Sequence, residues 1–437
     1  MEPQPDVLAA VRRDLADWRQ WVSRTVVLAG AAAAGLAVVG FVWLSGEALD
    51  AFDALRRGHR WLPLVWTPAV TGTIVWITLR WLPGAAGSGI PQVMAALEPD
   101  VPAAARGLFV SLRLSIGKAL LTAFGLLGGL AIGREGPAVQ IAAGVLQHVE
   151  RWLPRRTSVT HHGLLVAGGA AGIAAAFNAP LAGVMFAIEE LSRNLEQRNS
   201  GLLITAIVLG GLVAVAAFGN AAYFGVIRVP ALGAEYFLSG VVTIVGCGLL
   251  GGLFSRLLYA SIVGGTDRFS GWRRAHPVAF AVGCGLVIAI IGLVSDGSTF
   301  GSGYDYTRRL VEGETHVPLL YVTLRLIATW LAVWSGVPGG IFAPTLAIGA
   351  GVGNDVALFF HLDSASAPLI AIGMTALLAA VTQAPLTAFI IVMEMVDGHA
   401  MVLSLMAAAL GASLVARWLA HPLYPALARA QLRRLRT

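Results

Sequence analysis

Three short segments interrupt apolar sequence with clustered glycines and a closing proline: Gly87-Ser88-Gly89-Ile90-Pro91, Gly133-Arg134-Glu135-Gly136-Pro137 and Gly339-Gly340-Ile341-Phe342-Ala343-Pro344. Each reads as the start of a helix. Proline suits a first helical turn, where its missing N–H is no loss, and the glycines let the backbone bend close to a ligand. A helix start exposes unpaired N–H groups and the positive end of the peptide dipoles, which together favour an anion. Taken singly, each segment reads equally as a kink or a site of tight helix packing. Three together, two of them related by an internal repeat, favour a shared site.

The side chains in and near these breaks sharpen that chemistry. A site that passes an ion must bind it without trapping it, so N–H groups and hydroxyls serve better than a bare Lys or Arg. Ser88 offers a hydroxyl in the first break, and Tyr424, in Pro422-Leu423-Tyr424, offers another. Tyr424 reads equally as an aromatic anchor at the membrane interface. Glu135 places a carboxylate inside an apolar segment, which is costly and points to function. At a helix start it competes with an anion for the same N–H groups, and protonation frees the place. The competing reading is an ion pair with Arg134, which is weakened because adjacent helical residues point apart. Glu189 and Glu190 end the apolar run that begins at Ala179. Glu189 and its repeat mate Glu394 read as solvated helix-end carboxylates. Glu190 is assigned to collecting protons for Glu135, although spacing alone does not choose within the pair. Lys118, deep in apolar sequence, needs a buried partner or a water-filled cavity.

The elements that hold these residues are membrane helices. The 437 residues are 57% hydrophobic and 12% charged, with a mean hydropathy of +0.75; soluble domains carry about 25% charged residues. Apolar runs such as Val26 to Leu44, Leu202 to Val226, Val241 to Val263 and Val278 to Val294 approach the roughly 20 residues that a spanning helix needs. Others are shorter and broken by Gly or Pro, a pattern tolerated only where protein or water satisfies the backbone. The net charge of +6 does not mark a nucleic-acid binder, because Arg12, Arg13, Arg19, Arg24, Arg429, Arg433, Arg434 and Arg436 flank membrane segments. By the positive-inside rule both termini are expected in the cytoplasm, although Arg56, Arg57 and Arg60 after the first run suggest the opposite sidedness. The start of the chain does not read as a signal peptide, so residues 1–25 are expected to remain as a cytoplasmic amphipathic helix. Cys247 and Cys284 read as small core residues, and none of the nine histidines is assigned to a metal.

The chain repeats itself. Gly133, Pro137, Ile141, Ala143, Gly144 and Val145 recur 207 positions later as Gly340, Pro344, Ile348, Ala350, Gly351 and Val352. Gly168, Ala171, Ala179, Pro180, Leu181 and Glu189 recur 205 positions later as Gly373, Ala376, Ala384, Pro385, Leu386 and Glu394. With both termini on one side, two halves with an odd number of crossings each lie upside down to one another, the inverted-repeat plan of many transporters. The expected fold is therefore an all-α integral membrane protein of two inverted-topology repeats, at residues 26–225 and 226–425, with many tilted, broken helices and a short basic tail at 426–437. The substrate is expected near the bilayer midplane, where the broken helices meet.

At these residues the chain resembles the CLC family of chloride channels and chloride/proton exchangers, from about Leu62 to Tyr424. The three breaks appear in family order, and Phe177-Asn178-Ala179-Pro180-Leu181 is similar to the family as well. The resemblance implies a homodimer with one pathway per subunit. It makes Ser88 and Tyr424 hydroxyl ligands of chloride, Ile341 and Phe342 backbone N–H donors, Glu135 the gating glutamate and Glu190 the internal proton-transfer glutamate of exchangers. Serine at position 88 is the chloride-type residue. Gln92, Val93 and Met94 stand where relatives often carry acids, which removes the expected ion pair to Lys118. The chain ends 13 residues beyond Tyr424, so a compact prokaryote-like member without paired cytoplasmic regulatory domains is implied.

The expected activity is chloride/proton antiport, hence secondary active transport rather than an enzymatic reaction, with no cofactor and no metal. The alternatives are a passive chloride-selective channel or an exchanger for another small anion. The expected partners are chloride, protons, the lipid bilayer and a second copy of the chain. The expected location is the cell membrane, the inner one in a Gram-negative bacterium. No Walker loop or paired metal ligands point to a membrane-embedded enzyme.

Overall fold

The computed structural model describes residues 18–155, 157–192, 200–219, 223–225, 227, 235–314, 318, 320–362 and 366–436. Its elements are helices. In the first half they are α1 (Trp18–Gly58), α2 (Pro63–Trp81), α3 (Ile90–Leu97), α4 (Ala103–Arg106), α5 (Leu112–Leu127), α6 (Glu135–Val149), α7 (His161–Ala176), α8 (Pro180–Phe186) and α9 (Ser200–Phe218). The second half contains α10 (Glu235–Val263), α11 (Arg268–Ala275), α12 (Pro277–Val294), α13 (Tyr304–Val311), α14 (Tyr321–Ser335), α15 (Phe342–Phe359), α16 (Ala367–Thr382), α17 (Pro385–Met395), α18 (Val402–Arg417) and α19 (Leu423–Arg436).

Among the described residues, six helices are long and apolar enough to cross a membrane: α1, α9, α10, α12, α15 and α18 with the turn before it. The apolar helices α14, α16 and α17 are shorter. The protein is a multi-pass membrane protein whose short helices are sheltered by the long ones. Apolar side chains cover the outside, including Leu36 and Trp43 on α1, Phe237 and Leu253 on α10 and Leu403 on α18. Of the expected N-terminal helix, residues 1–17 lie outside the described residues, and Trp18 onward continues without a break into α1. At 1.5 Å per residue the 41 residues of α1 reach about 60 Å, more than the roughly 40–45 Å of a bilayer with its headgroups. α1 is therefore long enough to cross a membrane and project beyond it.

The centre is built from two repeat-related helix pairs, α6 with α7 and α15 with α16. Small residues let their backbones touch, as in many membrane interfaces. A Cβ on Gly168 would lie 2.8 Å from the Cα of Ala143, and one on its repeat mate Gly373 would overlap the carbonyl oxygen of Gly349.

Helix starts fall into two kinds. On α5, α7 and α11 the N-cap side chains of Ser111, Thr160 and Asp267 accept from the backbone of the first turn. The starts of α6, α8, α15 and α17 have no such cap of their own. At α8, α15 and α17 the first-turn N–H groups take acceptors from elsewhere in the chain, and all four helices lie in the repeated segments.

Candidate functional site

The three Gly/Pro breaks meet. Gly133 and Gly340, repeat mates, exchange two backbone hydrogen bonds of 2.7 Å each as an antiparallel bridge. The Gly339 N–H donates to the Gly87 carbonyl at 3.1 Å, which adds the first break to the other two. This contact leaves no space at Gly136, where a Cβ would overlap the Ser88 hydroxyl. Helices α3, α6 and α15 thus begin at one place.

A cavity of about 550 Å³ opens there, lined by Ser88, Ile341 and Tyr424 among others. The Ser88 and Tyr424 hydroxyls lie near enough to interact but not at hydrogen-bonding geometry, and both oxygens are buried without a protein partner. Tyr424 is fully buried, so its alternative reading as an interfacial anchor does not hold. Phe342 packs against Tyr424, ring centroids 5.8 Å apart, and stacks on Phe177 at 6.1 Å. The N–H groups of Ile341 and Phe342 have no hydrogen-bond partner among the described residues. Ser88, Ile341 and Tyr424 thus share one cavity, and their hydroxyls and unpaired N–H are donors of the kind that suits a dehydrated anion.

Glu135, fully buried at the first position of α6, reaches across to the other half. Its Oε2 accepts from the Ala343 N–H at 3.3 Å, in the first turn of α15. Arg134 turns away from it. The guanidinium donates to the Tyr223 hydroxyl at 2.5 Å and the Val42 carbonyl at 3.3 Å, and lies over the Tyr223 and Tyr304 rings. The carboxylate thus occupies an N–H next to those of Ile341 and Phe342, rather than pairing with its neighbour.

The chain winds as a π-turn over Ala187–Leu191, which carries both Glu189 and Glu190. π-turns often mark functional positions. Glu190 lies within electrostatic reach of Tyr424, as Glu135 does. Glu189 is not simply solvated, contrary to the sequence reading. It accepts from the Leu386 and Thr387 N–H groups at 3.1 and 2.7 Å, and Glu394 accepts from Leu181 and Ala182 at 3.2 and 2.7 Å. The cause is local: Pro180 and Pro385 start α8 and α17 without a cap of their own, so each half lends the other a carboxylate.

Lys118 finds its partners in the backbone. Its Nζ donates to the carbonyls of Ala85 at 2.7 Å and Gly87 at 2.5 Å, and no carboxylate among the described residues pairs with it. Sequence reasoning missed its repeat mate Arg325, which is equally buried and donates to the carbonyls of Thr299, Phe300 and Gly301. A charge within the apolar run of α14, at the same spacing of 207 from Lys118, was the available signal. Also missed were Arg273 and Arg274, which line the cavity together with Arg434, read from the sequence only as flanking a membrane segment; three guanidinium groups there give a positive field that draws anions.

The geometry agrees with comparison to known proteins. A family model described as voltage gated chloride channel matches residues 70–417. The fold is similar to that of a slow cyanobacterial Cl−/H+ antiporter, with a TM-score of 0.80 and 25% identity over 94% of this chain and 98% of the other. It is also similar to a CLC-type fluoride/proton antiporter, with a TM-score of 0.75 and 21% identity over 92% of this chain and 96% of that one. A eukaryotic CLC transporter matches with a TM-score of 0.75 and 21% identity, covering 94% of this chain and 75% of its own. With the family match spanning most of its length, and with its three breaks joined around one cavity, the chain belongs to the CLC family of voltage gated chloride channels, whose members are transporters or channels and not enzymes.

Proposed function

We propose that the protein is a chloride/proton antiporter, a secondary active transporter that needs no cofactor. The observation that carries this reading is the Glu135 carboxylate held on the Ala343 N–H, beside the free donors of Ile341 and Phe342. An ionised carboxylate there holds the place of an anion. Protonation removes its charge, the side chain leaves, and an anion takes the amides together with the hydroxyls of Ser88 and Tyr424. Each exchange then ties the movement of one anion to a proton on Glu135. Glu190 supplies and receives protons on the side of the Tyr424 cavity, a role supported by its position in the π-turn.

Chloride is the proposed anion because Ser88 stands in the first break and a Cl−/H+ antiporter is among the similar structures. We place both termini and the Arg-lined mouth in the cytoplasm and the Arg56 end of α1 outside. The location is the cell membrane, the inner one in a Gram-negative bacterium. The repeats run over residues 26–225 and 226–425, and two chains form a homodimer with one pathway each.

The test is chloride-driven proton movement in proteoliposomes. Antiport predicts that a chloride gradient drives protons against their own gradient, which no passive channel can do. Chloride flux without proton uptake would leave a channel. Repeating the measurement with fluoride and nitrate ranks the anions.

A further inference from the structure

A second cavity, of about 490 Å³, lies at the end of α10 and, among the described residues, shares only Leu423 with the lining of the transport cavity. Its polar lining is Ser255, Arg256 and Tyr259 from α10, His421 from the turn before α19, and Arg429 and Arg433 from α19. Arg429 and Arg433, four residues apart, share one helix face, as do Ser255 and Tyr259. None of the three arginines has an ion pair or hydrogen bond among the described residues, and the Ser255 hydroxyl is buried without a partner. The surrounding sequence offers no compensation. Residues 236–266 and 398–437 contain no Asp or Glu. Three unneutralised guanidinium groups around a concave space, above a buried free hydroxyl, fit an anion with several acceptor oxygens.

The position says which anion. The outer face of α10 is apolar and exposed through Val245, Leu249, Leu253 and Leu257, and Trp418, 82% exposed, stands just before the cavity lining. Apolar side chains facing outward, an exposed tryptophan and a basic pocket in sequence mark the edge of the hydrocarbon layer. A free anion would have no use for the flanking apolar face, whereas a phospholipid uses both parts. We propose that this cavity binds the phosphodiester headgroup of an anionic phospholipid, with its acyl chains along α10. Leu423 lines both this cavity and the transport cavity, and Tyr424 follows it directly. A bound headgroup therefore braces the start of the helix that carries Tyr424.

The binding test does not depend on the ion that is transported. Full-length protein purified in detergent is mixed with phosphatidylglycerol or phosphatidylcholine, and retained lipid is counted by native mass spectrometry. The expected result is retention of phosphatidylglycerol over phosphatidylcholine, reduced at least fivefold in the combined Arg256→Gln, Arg429→Gln, Arg433→Gln variant. Arg417→Gln, an exposed arginine outside the cavity, should retain lipid as the unaltered protein does. Ser255→Val, with all charges kept, should give an intermediate loss and covers the case in which the triple variant does not fold. Equal retention by the unaltered, triple and Ser255→Val proteins would overturn the site. Equal loss in Arg417→Gln would reduce it to diffuse surface charge. A thermal shift with inorganic phosphate alone as large as that with phosphatidylglycerol would assign a free phosphoryl anion and overturn the lipid.

Discussion

The starts of α6 and α15 occupy equivalent places in the two halves, joined by their Gly133–Gly340 bridge, yet they carry opposite side chains. Arg134 and Glu135 in the first correspond to Ile341 and Phe342 in the second. The second start exposes amides walled by apolar side chains, and the first sends a carboxylate to those amides. The same contrast recurs at the π-turn, where Glu189 is matched by Glu394 but Glu190 is matched by Met395. Matched charges build the frame: the glutamates cap each other's helices across the two halves, and Lys118 and Arg325 each tie down a glycine-rich loop within their own half. Glu135 and Glu190 have no carboxylate at the equivalent place in the other half, and these are the two glutamates to which proton transfer is proposed.

The largest effect should follow from removing the unmatched carboxylate at the gate. Glu135→Ala is expected to retain chloride flux and lose proton uptake, and its flux should become flat with pH. In the unaltered protein, flux should rise as pH falls, because protonation releases the carboxylate from the Ala343 amide. A pH electrode and a chloride electrode on the same proteoliposomes read both quantities, and intact coupling in this variant would remove Glu135 from its role. Next in size, Glu190→Ala should lower proton flux by about 100-fold, the low end of the range for loss of a positioned proton donor or acceptor, while Met395→Ala at the mirrored position should not. Equal losses at both positions would erase the distinction between matched and unmatched residues.

Much of this frame was legible in the sequence because its signals are local. Glycine, proline and apolar run lengths marked the helix starts, and the offsets of 207 and 205 marked the repeat. What the sequence did not reveal were contacts set by the packing of one half on the other. Glu189 and Glu394 looked like solvated ends because nothing near them in the chain shows that a proline-led helix 197 or 213 residues away needs an acceptor. The π-turn that carries Glu189 and Glu190 was hidden for a similar reason, since a single i→i+5 turn has no periodicity of its own. Lys118 could be read as needing a partner, but not that the partner would be a pair of carbonyls, one just before the first break and one at its start.

The cap exchange gives the third test. Glu189→Ala and Glu394→Ala each leave two N–H groups without their acceptor, and each should cost about 1–2 kcal/mol, the usual range for loss of a helix N-cap. Thermal unfolding in detergent should show similar drops in midpoint for the two variants, with proton coupling kept in both. Clearly unequal drops would mean that the two caps, alike in geometry, are not alike in energy.

The smallest effect should separate two serines. Gly87-Ser88-Gly89 has a counterpart in Gly301-Ser302-Gly303, and all four glycines adopt positive φ, between 65° and 111°, a conformation that favours glycine. The loops are alike but the hydroxyls are not. Ser302 accepts from the Tyr304 N–H at 3.3 Å, so its oxygen already serves the start of α13, while the Ser88 oxygen has no protein partner. Deleting a hydroxyl that only an anion uses should weaken anion binding by about 1 kcal/mol, the usual net value of one hydrogen bond, or roughly fivefold in affinity. Isothermal titration of chloride into Ser88→Ala and Ser302→Ala should show that loss in the first variant alone. If Ser302→Ala weakens chloride as much, the anion is bound at both loops and the symmetry extends to the transport site itself.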